Sequence, residues 1–237
     1  IADRIAHLSP CEDAARWAAK FTSPAKAWNE CPDGSWMLWI IGRIACAPES
    51  DDGKRLVLCT CECARLALPL FEKRYPNDAR VRKCIETAEQ GANGEATIEE
   101  LRKSRAAAAN VAMNAIAIAA GANAAATAAA TTATTDDAAA TAAAAAYAAD
   151  AATAAAIAAA AAADTAIAIA AGDVNLASAA SADTATGAAT AYAYANAADA
   201  DAAEAARSTT LAKCANIVRK RKHYPKPPVI AKKSRGA

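Results

Sequence analysis

Leu56, Cys59, Cys63, Leu66 and Leu70 follow one another at steps of three and four residues, which places them on one face of a helix. That pattern predicts a long helix over Lys54–Tyr75, kinked or ended by Pro69. Upstream, a helix is expected over Pro10–Phe21, with Ser9 as cap and Glu12 completing a capping box. A shorter one follows over Pro24–Glu30 with Ser23 as cap. After the turn Cys31-Pro32-Asp33-Gly34, Ser35 opens Trp36–Cys46, so apolar throughout that a buried helix is predicted. A polar loop at Pro48–Gly53 precedes Lys54. Asp78–Gln90 reads as a further helix, stopped by Gly91-Ala92-Asn93-Gly94. Thr97 and Glu100 form a second capping box, opening the helix that runs into the next zone.

From 106 to 206 the pattern changes: 59 of the 101 residues are alanine. Alanine has the best helix propensity and loses no side-chain entropy on folding. Three clusters of breaker residues interrupt the run: Thr131–Asp137, Gly172–Asn175 and Ser181–Gly187. They predict three helices near 97–130, 136–171 and 188–218, antiparallel because the connections are short and closely packed because alanine faces are thin. The expected fold class is all-α, a multi-helix bundle with a Trp-rich N-terminal half. The expected division is 1–95, a Trp- and Cys-containing half; 96–218, the alanine-rich bundle packed on it; and 219–237, a basic tail. Residues 1–218 are expected to fold as one cooperative unit. The tail, Arg219-Lys220-Arg221-Lys222-His223-Tyr224-Pro225-Lys226-Pro227-Pro228, cannot be helical around its prolines and favours an extended strand.

Composition qualifies this picture. The chain has 237 residues and 55% hydrophobic ones, but aromatics are only 5%, so a bulky core can occupy only part of it. The formal net charge of +1 hides three zones. Residues 1–105 carry 16 basic and 16 acidic groups, residues 106–206 nine acids and no base, and residues 207–237 ten basic groups and no acid. No basic stretch leading into an apolar one marks a signal peptide at the start, and polar residues interrupt every alanine run, which argues against a membrane span. The expected compartment is the cytoplasm. The eight cysteines are accordingly expected as reduced, mostly buried thiols.

Candidate chemistry is sparse. Cys59-x-Cys61-x-Cys63 lacks the paired spacing of a zinc site, and the two histidines, His7 and His223, lie near opposite ends. No nucleophile elbow and no phosphate loop is present. Neither a cofactor, a metal nor a catalytic residue is predicted, and the chain reads as a non-enzyme. Trp17, Trp28, Trp36 and Trp39 fall within 23 residues. They form either the core of the first half or, through Trp36 and Trp39, an anchor for a partner. Asp136, Asp150 and Asp164 share a heptad position in the acidic zone, with Ile157 between the last two, and are candidates for contacting a basic protein. The basic tail either folds back on the acidic alanine helices or makes non-specific contact with nucleic acid.

A family resemblance rests on particular stretches. Trp28-Asn29-Glu30-Cys31 and Ser35-Trp36-Met37-Leu38-Trp39-Ile40-Ile41-Gly42-Arg43 resemble the Trp-rich signature of an immunity protein family with alanine-rich C-terminal halves. Leu56–Arg65, Ala96–Arg102, Leu211–Arg219 and His223–Pro228 resemble its following helix, the opening of its alanine zone, its closing helix and its tail. The resemblance implies a bacterial or phage-encoded inhibitor of a toxin, and carries over no binding residues. The expected function is therefore a non-enzymatic protein-binding module. Its alternatives are a structural helical protein such as a virion component, or an ice-binding protein using Thr127, Thr134, Thr141, Thr153 and Thr165 on alanine helices.

Overall fold

The structure is a computed structural model that describes residues 1–45, 50–132, 136–197, 199–220, 223, 224, 226 and 227. Within them, side chains are described except at 2, 3, 45, 119, 121–132 and 136–142. The described residues form an all-α bundle. Helices run as α1 (Ala2–Ile5), α2 (Glu12–Ala18), α3 (Pro24–Glu30), α4 (Gly34–Ala45), α5 (Asp51–Arg74), α6 (Arg80–Asn93), α7 (Ile98–Thr132), α8 (Asp136–Ala171), α9 (Val174–Ala195) and α10 (Ala200–Val218). Of the breaks expected in the alanine zone, the first, Thr131–Asp137, has its centre, 133–135, outside the described residues, between α7 and α8.

Helix α8 lies at the centre, touching α5, α6, α7 and α9. Its neighbours in sequence, α7 and α9, run antiparallel to it, as two cross-helix contacts show. Ala158 is thirteen residues before the end of α8, and its partner Gly187 is thirteen after the start of α9. Arg105, near the start of α7, bonds Asp164, near the end of α8. Ala143–Ala171 is long and apolar enough to cross a membrane by composition, but 72% of its apolar 18-residue window is buried inside the bundle.

Several local expectations are corrected. Ser9 does not cap α2. Its N–H bonds the carbonyl of Ala6 at 3.0 Å and it adopts φ +58°, ending a 3-10 turn at Ala6–Leu8. The backbone of α2 begins only at Glu12, after Cys11. Helix α4 starts two residues early because Asp33 Oδ1 accepts from the Ser35 N–H at 2.8 Å and its hydroxyl at 2.6 Å. Helix α5 also starts early, at Asp51, because Ser50 accepts from the Gly53 N–H, and it runs through Pro69 to Arg74. The caps at Ser23 and at the Thr97–Glu100 box form as read.

The largest correction is in the alanine zone. Ser181–Gly187 is no break but the middle of α9, and the break falls at 196–199, where Asp199 accepts from the N–H groups of Asp201 and Ala202. Tertiary contacts overrode the breaker residues. Ser181 donates to the carbonyls of Leu38 and Ser178, Thr184 to Ala180. At Gly187 an added Cβ would sit 3.2 Å from the Ala158 Cα, so glycine serves the close approach of α9 to α8.

One buried cluster joins both halves. Met37, Leu38, Ile41, Leu56, Phe71, Val81 and Ile85 of the first half are continuous with Ala152, Ala155, Ala159, Ala163 and Ala188. Each alanine methyl contributes only about 0.8 kcal/mol on burial, against about 1.5–3 for a Leu, Ile or Phe side chain. Polar threads reinforce the seam: Ser178 Oγ donates to the Trp39 carbonyl, Tyr192 Oη to Leu66 and Cys84 Sγ to Ala159.

Candidate functional site

Helices α2, α3 and α4 turn their tryptophans toward a common space. Trp36 and Trp39 are one helical turn apart, hence on one face of α4. The opposite face of that helix, Met37, Leu38 and Ile41, is buried in the core. Trp17 of α2 leans on Trp36 with ring centroids 6.0 Å apart, and on Phe21 at 4.6 Å. Trp28 of α3 is buried, while Trp17, Trp36 and Trp39 are half-buried. All four line an open apolar groove of about 510 Å³, together with Ile5 and Pro227. The tryptophans thus reach from the core, which Trp28 joins, to an open groove, and sequence reasoning had not placed Trp17 and Trp28 beside the pair on α4.

The groove is held at one end by the chain's own tail. The Trp28 indole N–H donates to the Tyr224 carbonyl at 3.1 Å. Arg219 Nε donates to the Trp28 carbonyl at 3.0 Å, and its guanidinium also bonds the Cys31 carbonyl. Burial pulls the Arg219 pKa below its ordinary value. Glu62 on α5 takes Lys220 Nζ at 2.5 Å and the buried His223 Nε2 at 3.2 Å. The Tyr224 hydroxyl donates to the Asp52 carbonyl. The described part of the tail therefore folds onto α3 and α5, not onto the acidic alanine helices. Its first residues found paired partners in the charge-balanced half.

The acidic candidates are not gathered into one site. Asp164 is paired with Arg105 at 3.1 Å, a base just outside the acidic zone. Asp150 is half-buried and fourteen residues away, about 21 Å along the helix axis. The Asp136 side chain lies outside the described residues. Two further acids, Asp173 and Asp199, are committed to capping α9 and α10. Asp183 is pushed above the usual carboxylate range by burial and by the neighbouring Asp164 charge.

The thiols are placed for packing. Cys31, Cys59, Cys61, Cys63, Cys84 and Cys214 are buried and free, whereas Cys11 is exposed; Cys46 lies outside the described residues. Desolvation pushes Cys31 up to about 11 and Cys84 up to about 12. A protonated thiol is a poor nucleophile and a poor metal ligand. Among the described residues, no group of three or more His, Cys, Asp or Glu side chains could hold a metal ion. Thr153 and Thr165 face inward and donate to the carbonyls of Ala149 and Ala161. They cannot present a flat threonine surface to ice; Thr127, Thr134 and Thr141 have no described side chains.

Comparison with known proteins adds a family. Residues 48–156 match the family described as Imm-5 like putative immunity protein. The match covers α5, α6, α7 and the first part of α8, and lies between the tryptophan segment and the tail that line the groove. No curated protein and no solved structure matches the chain.

Proposed function

We propose that this protein, which over residues 48–156 carries the Imm-5 like immunity family, is an immunity-type module that binds a protein toxin and has no catalysis of its own. The observation that carries the reading beyond the family is the groove. Four tryptophans converge on about 510 Å³ of open apolar space, the kind of pocket in which interface hot spots are buried. Trp36 and Trp39 are the anchors in this reading, since both are half-buried and offer a face to an incoming side chain. Asp136, Asp150 and Asp164 act at longer range, steering a basic partner toward the alanine helices.

The test is affinity capture from the native host with the tagged full chain, followed by an activity assay of the captured protein. A toxin inhibited at one-to-one stoichiometry is expected. The Trp36→Ala/Trp39→Ala double variant should weaken inhibition by about a hundredfold, as for truncation of two central hot-spot residues. Changing the three acids together to Asn should slow association at low salt only. A captured protein that binds fully yet keeps its activity would overturn the immunity reading.

A further inference from the structure

Helix α7 outruns the helix beside it. Its 35 residues span about 52 Å, whereas the 14 residues of α6 span about 21 Å. Among the described residues its substantial contacts are with α6 and α8, made through Leu101, Ala108, Val111, Ala112 and Ala115 on its buried side. The outer side is open. Ala106, Asn110, Met113, Ala117 and Ala120 are all exposed and follow one another at alternating steps of four and three residues. That spacing keeps one stripe of a helix against a neighbouring helix along its length. The same steps continue in the sequence through Ala124, Thr127 and Thr131. A helix face turned to water normally carries charge. Here no charged residue stands between Arg105 and Asp136, while Met113 is 63% exposed and Ile116 44%. Large apolar side chains open on an uncharged face mark an interaction surface.

We propose that the outer face of α7 is the contact between two copies of this chain, paired antiparallel about a two-fold axis. The stripe is symmetric in its spacing about a point between Ile118 and Ala119. A two-fold axis there brings Ala117 of one copy level with Ala120 of the other, Met113 with Ala124, Asn110 with Thr127 and Ala106 with Thr131. The large Met113 thus comes level with a small residue, and the polar Asn110 with another polar one. Alanine at most of the remaining positions lets the two axes approach to about 8 Å. Charge at the two ends of the uncharged stretch fits the same direction. Arg102 and Lys103 stand exposed before it and form no ion pair among the described residues. Asp136 and Asp137 open α8 just after it. Antiparallel pairing sets the basic end of each copy at the acidic end of the other. A uniformly basic protein fits this face less well, since Arg102 and Lys103 repel it. No described residue of α7 lines the tryptophan groove, so this contact is separate from the one assigned to a toxin.

The experiment is sedimentation equilibrium of the full chain up to roughly 100 μM, which reveals any dimer tighter than a weak, transient one. Twice the chain mass is expected, with association weakening as salt rises. Met113→Lys should weaken the dimer at least roughly tenfold, since it places a charge within the stripe. Ala117→Lys, which sets like charges against each other beside the two-fold axis, should do the same. Both positions are exposed, and circular dichroism checks that each variant stays folded. Arg102→Glu with Lys103→Glu should also weaken association. Adding Asp136→Lys and Asp137→Lys to the same chain should restore it, an outcome that parallel pairing does not give. A monomer throughout the concentration range, or a dimer unmoved by both Met113→Lys and Ala117→Lys in folded protein, would overturn the proposal. Failure of the four-fold change to restore a dimer in a folded chain would overturn the antiparallel register. Inhibition of a captured toxin by the monomeric variants would leave the immunity reading standing whichever way the dimer test falls.

Discussion

At the scale of single residues, the buried thiols connect packing to pH. Cys31 rises from an ordinary value of 9.0 to about 11, and Cys84 from 9.0 to about 12, because burial disfavours the thiolate. In the unfolded chain both ionise near 9.0, while in the folded protein both stay protonated. Above that pH the unfolded state binds fewer protons, so stability falls as pH rises; below it the two states are equally protonated and these thiols contribute no slope. The urea midpoint should therefore be flat between neutrality and about pH 8.5 and decline above 9, with Cys31→Ala and Cys84→Ala each flattening the decline. A decline of unchanged slope in both variants would assign it to other groups. In the native protein near pH 8, a thiol reagent should label Cys11 quickly and the six buried cysteines only at the rate of opening. Buried thiols were readable from residue type and helical spacing. The carbonyl partners, Ile85 for Cys61 and Ala159 for Cys84, were not, because they come from helices distant in sequence.

At the scale of elements, local chemistry and tertiary contact compete, and the winner differs from place to place. The Thr97–Glu100 box decides where α7 starts because every atom it needs is within four residues. Ser181–Gly187 has the composition of a break, yet α9 passes through it, since Ser181 finds a carbonyl on α4 and Gly187 fits against α8. Gly187→Leu should then act as an overpacking change, not a helix-strengthening one, costing about 1–3 kcal/mol in urea unfolding despite leucine's better propensity. Stability equal to or above that of the unchanged protein would show that α8 and α9 separate without loss. The threonines of α8 follow the same logic. Thr153 and Thr165 are bonded to the preceding turn and buried, so negligible thermal hysteresis is expected at sub-millimolar protein. Hysteresis removed by Thr153→Lys in a folded protein would overturn that expectation.

At the scale of the whole molecule, the alanine helices are expected to depend on the first half. Ordering each residue costs about 1–2 kcal/mol of backbone entropy, and an alanine methyl returns less than that on burial. The large buried side chains that make up the difference, Phe71, Met37, Leu38, Ile41, Leu56 and Ile85, all belong to α4, α5 and α6. A fragment 106–206 alone should be marginally helical or should self-associate, while the intact chain unfolds in one transition. A monomeric fragment melting at the temperature of the intact protein would contradict this. The tail joins the same unit through Arg219, Lys220, His223 and Tyr224, so Glu62→Gln should loosen it and expose the Trp28 end of the groove to a quencher.

Interactions within a few residues of one another decided much of the local structure. Alanine's propensity made the second half helical, three- and four-residue spacing oriented α5, and nearby side-chain oxygens that accept from backbone N–H groups set several helix starts. Local spacing also brought Trp36 and Trp39 onto one helical face, since that needs only the pitch of a helix. Only the meeting of the helices brings Trp17 and Trp28 beside them around one groove, lays the described part of the tail against α3 and α5, and pairs Arg105 with Asp164. Those outcomes depend on which faces meet across tens or hundreds of residues. In a chain where so many faces are alanine, the rare large or charged side chains choose among nearly equivalent packings, and that choice is made only when the helices come together.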